Sequence, residues 1–250
     1  MQTHTREIVN KIAIMQPYFL PYIGYWQMLH AVDTFVLYDD VTYIKKGWIN
    51  RNRILVNGEP WTFTVPLKNA SQNVLIKDLV VADGIGVWCT RMLKTLERSY
   101  SNAPFYAEAM PLLQACLSSP SSYMTDWIEG SFETIGSYLK TPFRMVRSSR
   151  IDYNRELKGQ DKILELCRIL RADMYINAIG GMSLYDAEAF TRQNITLKFI
   201  QAMPVEYEQM NATFVPWLSM IDVMMFNRTE VVREILSQIL LIDRARCSGQ

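Results

Sequence analysis

Short apolar runs and an amphipathic segment alternate at the start of the chain. Residues 11–16 (KIAIMQ) are apolar and stop at Pro17, which predicts a buried strand, and residues 33–38 (DTFVLY) predict a second strand. Between them, residues 21–32 carry apolar positions at helical spacing after Pro21, a residue that favours a helix start. This region therefore predicts a β-loop-α-β unit with two parallel strands.

The second half of the chain repeats this alternation. Strand-like apolar runs at 141–149, 173–181 and 195–201 are separated by helical patterns at 161–170 and 184–193. Strands that alternate with helices are typical of a parallel sheet covered by helices on both faces. The predicted fold is therefore α/β: a mostly parallel sheet flanked by helices, of the nucleotidylyltransferase-like or Rossmann-like kind.

The region between these halves has a different character. Asn57-Gly58 lies between two apolar stretches, which is the strongest short signal for a β-hairpin. Residues 74–82 supply a third stretch, so we expect a small antiparallel lobe over residues 54–82. A helical pattern follows over 86–140. Since no repeat or linker separates these regions, the whole chain (1–250) is predicted to be a single composite α/β domain.

Composition excludes several classes of function. A formal net charge of +1 over 250 residues gives no bulk electrostatic reason to bind nucleic acid. No run approaches the ~20 apolar residues of a membrane span, and residues 1–12 lack the apolar core of a signal peptide.

Four scattered cysteines without a CxxC pair fit reduced thiols, so we expect a cytoplasmic protein. With His4 and His30 as the only histidines, we expect neither a His-rich metal site nor a Ser-His-Asp triad, and no metal ligands are predicted.

The charge-rich segment from Asp39 to Arg53 (DDVTYIKKGWINRNR) is the best candidate for a functional site. It follows a predicted strand, and ligands of α/β proteins bind beyond the carboxyl ends of strands. Asp39, Asp40 and Lys46 are the candidate catalytic residues, because either carboxylate can accept a proton from an amine. Adjacent residues of an extended segment point opposite ways, so only one carboxylate is expected to face the ligand. The alternative is a solvated loop whose charges pair with one another.

Two further turns and one strand end supply binding candidates. The turn at residues 16–25 and the turn at Gly180-Gly181 each join a strand to a predicted helix, whose free N–H groups suit an anion. In both cases a simple packing turn is the alternative. Ser148 and Ser149 end a strand at the same predicted sheet edge. The predicted substrate-binding residues are Gln16, Tyr18, Tyr25, Tyr43, Trp48, Asn50, Arg51, Arg53, Lys68, Ser148, Ser149, Asn177, Gly180, Gly181 and Tyr185.

One carboxylate, Asp222, interrupts the apolar run LSMIDVMMFN near the end of the chain. A buried carboxylate without a partner costs several kcal/mol. We therefore expect Asp222 to pair with an arginine and to act as a structural tether rather than as a catalytic acid.

Four segments carry a family resemblance: IAIMQPYFLPYIGYWQML, VDTFVLYDDVTYIKKGWINRNRI, YINAIGGMSLYD and LSMIDVMMFN. They resemble successive signatures of the WbqC-like family over about residues 11–241. The resemblance implies a place in bacterial surface-polysaccharide (O-antigen) gene clusters and transfer of a glycyl or other acyl group to an amino sugar. The implied partners are a nucleotide-linked amino sugar and an acyl donor. That donor is a thioester on an acyl carrier protein or coenzyme A, or an adenylate made from ATP.

Two alternatives to acyl transfer stay open. The first predicted helix also resembles the start of the nucleotidylyltransferase-like fold, whose His-x-Gly-His reads Tyr22-Ile23-Gly24-Tyr25 here. Nucleotidyl or phosphoryl transfer on a sugar phosphate would then proceed without those histidines, with Asp39 and Asp40 binding magnesium. The other alternative is a non-catalytic protein that binds a sugar nucleotide of the same pathway.

Overall fold

A computed structural model describes residues 9–203, 205–210 and 213–243. Its strands are β1 (Lys11–Met15), β2 (Thr34–Leu37), β3 (Arg51–Val56), β4 (Glu59–Thr64), β5 (Leu67–Lys68), β6 (Val80–Val81), β7 (Met145–Arg147), β8 (Met174–Ala178), β9 (Thr196–Ala202) and β10 (Ile239–Ile242). Its α-helices are α1 (Ile23–His30), α2 (Ile85–Tyr100), α3 (Tyr106–Cys116), α4 (Met124–Leu139), α5 (Gly159–Ile169), α6 (Ala187–Thr191), α7 (Met220–Phe226) and α8 (Thr229–Ser237). Short 3₁₀ turns span Ile76–Asp78, Ser148–Arg150 and Ile179–Leu184.

Six strands form the central sheet in the order β10-β9-β8-β1-β2-β7. Strands β9, β8, β1, β2 and β7 run parallel, and β10 is antiparallel to β9. Numbered along the chain, these strands have the order 3-2-1-4-5-6 of a doubly wound sheet, with its switch point between β1 and β8. The predicted α/β fold with a mostly parallel sheet is therefore confirmed.

The sheet separates two apolar cores. Along β1, Ala13 lies in the larger core and Ile12 and Ile14 lie in the smaller one, as alternation along a strand requires. The larger core contains side chains from α1, the β3–β4 hairpin, α2 to α4, α7 and α8. The smaller core contains side chains from α5 and α6. Helices thus cover both faces, which explains why all four residues of β2 are buried.

The predicted hairpin forms, with β3 and β4 paired antiparallel around Asn57-Gly58. Both turn residues have positive φ (52° and 82°), as a tight hairpin turn demands. Residues 74–82 do not add a third strand to this hairpin. They form a 3₁₀ turn followed by β6, which pairs with β5 in a separate two-stranded sheet. The 3₁₀ turn at Ile76–Asp78 interrupts the apolar run, so β6 contains only Val80 and Val81.

The helical pattern over residues 86–140 corresponds to α2, α3 and α4. Within the described ranges, no helix combines the length and the apolar character needed to cross a bilayer.

Candidate functional site

The carboxyl ends of four parallel strands bring predicted site residues to one edge of the sheet. Gln16 follows β1, Asp39 follows β2, Ser148 follows β7 and Asn177 lies at the end of β8. Because these strands are parallel neighbours in the sheet, their carboxyl ends coincide. This is the edge at which ligands of doubly wound folds bind.

Asp39 is fully buried and held by the two serines that follow β7. Its carboxylate accepts hydrogen bonds from the Ser149 backbone N–H at 2.9 Å and the Ser149 hydroxyl at 2.8 Å, and Ser148 Oγ lies 3.2 Å from its Oδ1. The Asp39 backbone N–H also approaches Ser148 Oγ at 3.1 Å. Through these bonds Asp39 holds the ends of β2 and β7 together.

Asp40 is the centre of a second set of contacts. Its carboxylate accepts hydrogen bonds from the Ser148 and Tyr153 hydroxyls, each at 2.5 Å, and forms an ion pair with Arg155. Lys162 Nζ lies 3.9 Å from Asp40 Oδ1. Asp40 retains 9% of its accessible surface, whereas Asp39 retains none. Asp40 is therefore the more accessible of the two carboxylates.

The expectation that the two carboxylates point in opposite directions is wrong. Both contact the Ser148 hydroxyl. Strand β2 ends at Leu37, and the Asp39 N–H bonds back to the Leu37 carbonyl at 3.0 Å. Such an i to i+2 bond is a tight turn, so the alternation of an extended strand no longer applies.

Sequence reasoning missed Tyr153, Arg155 and Lys162, which complete this carboxylate cluster. The Arg155 guanidinium stacks 4.1 Å from the Tyr153 ring centroid, and Lys162 Nζ lies 5.3 Å from both the Tyr153 and Tyr38 rings. Burial, and then the nearby Arg155 charge, lower the pKa of Lys162. The available signal was a Tyr-x-Arg in the loop between β7 and α5, followed by a lysine in the first turn of that helix.

Arg51 and Arg53 form the other charged feature of the predicted segment. Residue 51 begins strand β3, so the two side chains, two positions apart, project from the same face. Trp48 lies against both guanidinium groups, with ring centroid to Cζ distances of 4.9 Å and 5.9 Å. Both Nε atoms are buried without a hydrogen-bond partner. In the described part of the chain, neither arginine forms an ion pair with a carboxylate.

Four aromatic rings border this arginine pair, and we call them the aromatic arc: Trp48, Tyr18, Tyr22 and Trp217. Successive ring centroids are 6.1 Å, 6.3 Å and 5.8 Å apart. Arg53 joins the two ends of the arc, because its guanidinium also lies 3.4 Å from the Trp217 carbonyl oxygen. Burial raises the pKa of Tyr18, so this phenol stays neutral at physiological pH despite the two nearby guanidiniums.

Gln16 and Tyr25 connect the arc to the end of β1. The Tyr25 hydroxyl donates to the Gln16 carbonyl at 2.8 Å, and its ring lies 5.9 Å from Tyr18. Gly24, next to Tyr25, allows α1 to begin close to β9, because a Cβ there would be 3.1 Å from Ala202 Cβ. The turn at residues 16–25 therefore lies beside the arginine pair, as a shared site requires.

Four of the predicted residues have other environments. Tyr43 and Asn50 are buried and bonded to each other at 3.0 Å, and Asn50 also donates to the Val65 carbonyl at 2.7 Å. Lys46 is exposed in a turn with a φ of 62°. The remaining residue, Lys68, forms an exposed ion pair with Asp83 at 2.8 Å.

Asn177 and Tyr185 belong to a buried hydrogen-bonded group at the end of β8. Asn177 Nδ2 donates to the Tyr175 hydroxyl at 2.8 Å and to the Tyr185 hydroxyl at 2.9 Å. Gly181 lies against this amide, since a Cβ there would be 3.1 Å from Asn177 Oδ1. Burial and the neighbouring Tyr185 raise the pKa of Tyr38 to about 12, which links this group to the end of β2.

The glycine turn does not lead directly into an α-helix as expected. Gly180 and Gly181 lie in the 3₁₀ turn Ile179–Leu184, and α6 begins only at Ala187. The first N–H groups of α6 are instead served by the Asp186 side chain, which accepts from the Glu188 N–H at 3.1 Å. Of the two glycines only Gly181 lies against Asn177, since a Cβ at Gly180 would meet no atom within 4 Å.

The expectation that Asp222 pairs with an arginine is also wrong. This fully buried carboxylate accepts hydrogen bonds from the Tyr100 hydroxyl at 2.8 Å, the Tyr207 hydroxyl at 2.7 Å and Gln209 Nε2 at 2.8 Å. Burial raises the pKa of Asp222. Three neutral donors therefore satisfy the Asp222 carboxylate in place of a cation. Their bonds connect α7 to α2 and to the loop between β9 and α7.

No three His, Cys, Asp or Glu side chains of the described residues are grouped so that they could hold a metal ion.

Comparisons with known proteins identify a family for this chain. The model of the WbqC-like protein family matches residues 16–234. An uncharacterized protein of Mycobacterium tuberculosis (strain ATCC 25618 / H37Rv), Rv1507c, is 28% identical over 223 residues, which cover 88% of this chain and 94% of the relative. No solved structure matches the chain at a significant level. Since the match runs from the residue after β1 into α8 and covers most of the chain, the chain belongs to the WbqC-like protein family.

Proposed function

We propose that this protein transfers an acyl or aminoacyl group, such as glycyl, to the amino group of a nucleotide-linked amino sugar in bacterial surface-polysaccharide (O-antigen) biosynthesis. The observation that carries this proposal is the pair Arg51 and Arg53, two adjacent cations without a carboxylate partner in the described residues. They lie beside the turn after β1, at the sheet edge where such folds bind ligands.

The arginine pair suits a diphosphate. Neither guanidinium has a carboxylate partner among the described residues, so an anionic ligand would supply their neutralising charge. A guanidinium offers parallel N–H donors that match phosphate oxygens, and two guanidiniums on one strand face match two phosphates. Trp48 holds both groups in position through stacking. The exposed Lys46 adds a further positive charge in the same loop.

Asp40 and Lys162 are the groups to which we assign proton acceptance. The sugar nitrogen attacks the carbonyl carbon of the donor, the N–C bond forms as the C–S bond of a thioester breaks, and the amine proton passes to this pair. Asp40 is the more exposed carboxylate, and the lowered pKa of Lys162 favours exchange of its proton. The donor in this scheme is a thioester of a carrier protein or coenzyme A, and an adenylate made from ATP would react in the same way with AMP leaving.

The test is product formation measured by mass spectrometry. The protein is incubated with UDP- and dTDP-linked amino sugars and with acyl-coenzyme A, aminoacyl thioesters or ATP plus glycine. We expect a mass increase of one acyl group, lost in an Arg51→Met/Arg53→Met variant and retained in Arg168→Met. Arg168 is a suitable control because it forms an exposed pair with Glu165 on α5. Absence of any mass increase with every donor would refute the proposal.

A second candidate function is non-catalytic binding of the same sugar nucleotide. The observation that favours it is that both carboxylates already accept hydrogen bonds from protein side chains, as expected of groups with a structural role. Asp40→Asn separates the two functions. A binding protein would retain its affinity for the sugar nucleotide and the pathway product would still form, whereas an enzyme would lose the acylated product.

A further inference from the structure

An apolar cavity of about 330 Å³ lies beyond the carboxyl end of β9. Its wall contains Ile23, the first residue of α1, and the rings of Tyr207, Phe214 and Trp217. Among the described residues that line it, Glu206 is the only charged one. The volume falls within the range of pockets that bind small molecules, and such pockets combine apolar walls with a few polar groups.

This cavity shares a wall with the arginine pair. Trp217 lines the cavity, closes one end of the aromatic arc against Tyr22 at 5.8 Å, and presents its carbonyl oxygen to the Arg53 guanidinium at 3.4 Å. The chain beyond Trp217 is fixed to the same strand, because the Ser219 N–H donates to the Arg53 carbonyl at 2.8 Å. An anion bound by Arg53 would therefore lie directly beside the mouth of the cavity.

We propose that this cavity holds the nucleobase of a nucleoside diphosphate whose phosphates bind Arg53 and Arg51. This inference rests on the proposed function, which requires a nucleotide-linked sugar. Three aromatic rings in the wall suit a flat, polarisable base better than a flexible acyl chain, since every base has a face that stacks on aromatic side chains. The carboxylate of Glu206 can accept a hydrogen bond from a ring or amino N–H of the base. The sugar would then extend from Arg51 and Arg53 toward the ends of β1 and β2.

The experiment compares ligands with and without a base by isothermal titration calorimetry. The probes are UDP, dTDP, GDP and inorganic pyrophosphate, titrated into the wild type, Trp217→Ala and Trp61→Ala. Trp217 is 54% exposed and Trp61 is 42% exposed, so both variants are expected to fold. Trp61 lies on β4 and is not among the residues that line the cavity, which makes it a matched control. An Arg51→Met/Arg53→Met variant shows how much of the binding depends on the arginine pair.

We expect the wild type to bind at least one nucleoside diphosphate more tightly than pyrophosphate. Trp217→Ala should weaken that nucleotide by roughly 5- to 150-fold, the range for loss of one stacked base, and leave pyrophosphate unchanged. Trp61→Ala should change neither. Equal affinities of nucleotide and pyrophosphate, or no effect of Trp217→Ala on the nucleotide, would overturn the nucleobase site while the arginine site stands. If neither pyrophosphate nor any nucleotide binds the wild type, the nucleobase site and the proposed function both fail.

Discussion

Replacement of Arg51 and Arg53 by methionine should raise stability and abolish anion binding at the same time. Methionine retains much of the apolar stem that lies against Trp48 but removes the buried Nε atoms that have no partner. Each such atom costs about 1–3 kcal/mol. The lost cation–π contacts are worth about 0.5–1 kcal/mol each, so they offset only part of this gain. We therefore expect the double variant to be about 1–3 kcal/mol more stable than the wild type.

The affinity for anions should change in the opposite direction. A hydrogen bond to a charged group contributes about 1.5–3 kcal/mol, which corresponds to roughly a ten- to hundredfold loss of affinity for each arginine. Urea titration followed by tryptophan fluorescence gives the stability, and calorimetry with pyrophosphate gives the affinity. A gain in stability with a loss of function is typical of residues kept for binding.

Arg147→Met is the matched control for a structural arginine. Its side chain is 11% exposed and forms ion pairs with both Asp126 and Glu129. Removal leaves two poorly solvated carboxylates near each other, so this variant should be destabilised by about 2 kcal/mol with pyrophosphate affinity unchanged. The reasoning is refuted if the Arg51→Met/Arg53→Met variant also loses 2 kcal/mol or more, or if it still binds pyrophosphate as the wild type does.

Three further predictions concern the carboxylates and the hairpin. Asp40→Asn leaves Arg155 and Lys162 without their anion and should cost about 3 kcal/mol, and an unchanged melting temperature would contradict this. Because burial raises the pKa of Asp222 above its ordinary 3.8, the wild type loses stability as pH rises through that raised value, whereas Asp222→Asn has no such dependence. The advantage of the wild type over Asp222→Asn in urea titrations should thus shrink with rising pH above about 4, and a growing advantage would oppose it. Gly58→Ala, at a φ of 82°, should cost about 1 kcal/mol in the same titration, and no loss would rule out strain there.

The parallel core could be predicted because its signals are local. Strand β1, helix α1 and strand β2 each correspond to a short run with a clear period and a boundary residue such as Pro17 or Pro21. The hairpin turn depends on two adjacent residues, Asn57 and Gly58, whose backbone preferences are intrinsic. Such features require no knowledge of the rest of the chain.

The contacts that define the site could not be predicted in this way. Arg53 meets Trp217 across 164 residues, and Asp39 meets Ser149 across 110. The sequence also could not decide what neutralises a buried carboxylate. Asp222 uses two phenols and an amide, because the chain brings neutral donors to it from α2 and the preceding loop. Partner choice of this kind depends on tertiary packing, which local patterns do not encode.

The charged segment between Asp39 and Arg53 therefore contains two sites with opposite electrostatic states. Its first part carries negative charge that two cations already neutralise, Arg155 from the loop after β7 and Lys162 from α5. Its second part carries the positive charge of Arg51 and Arg53, which no described carboxylate neutralises. A net charge of +1 conceals this local excess. Since a neutralised cluster gains little from a charged ligand and an unneutralised one gains much, an anionic ligand should bind at Arg51 and Arg53 on β3 rather than at Asp39 and Asp40.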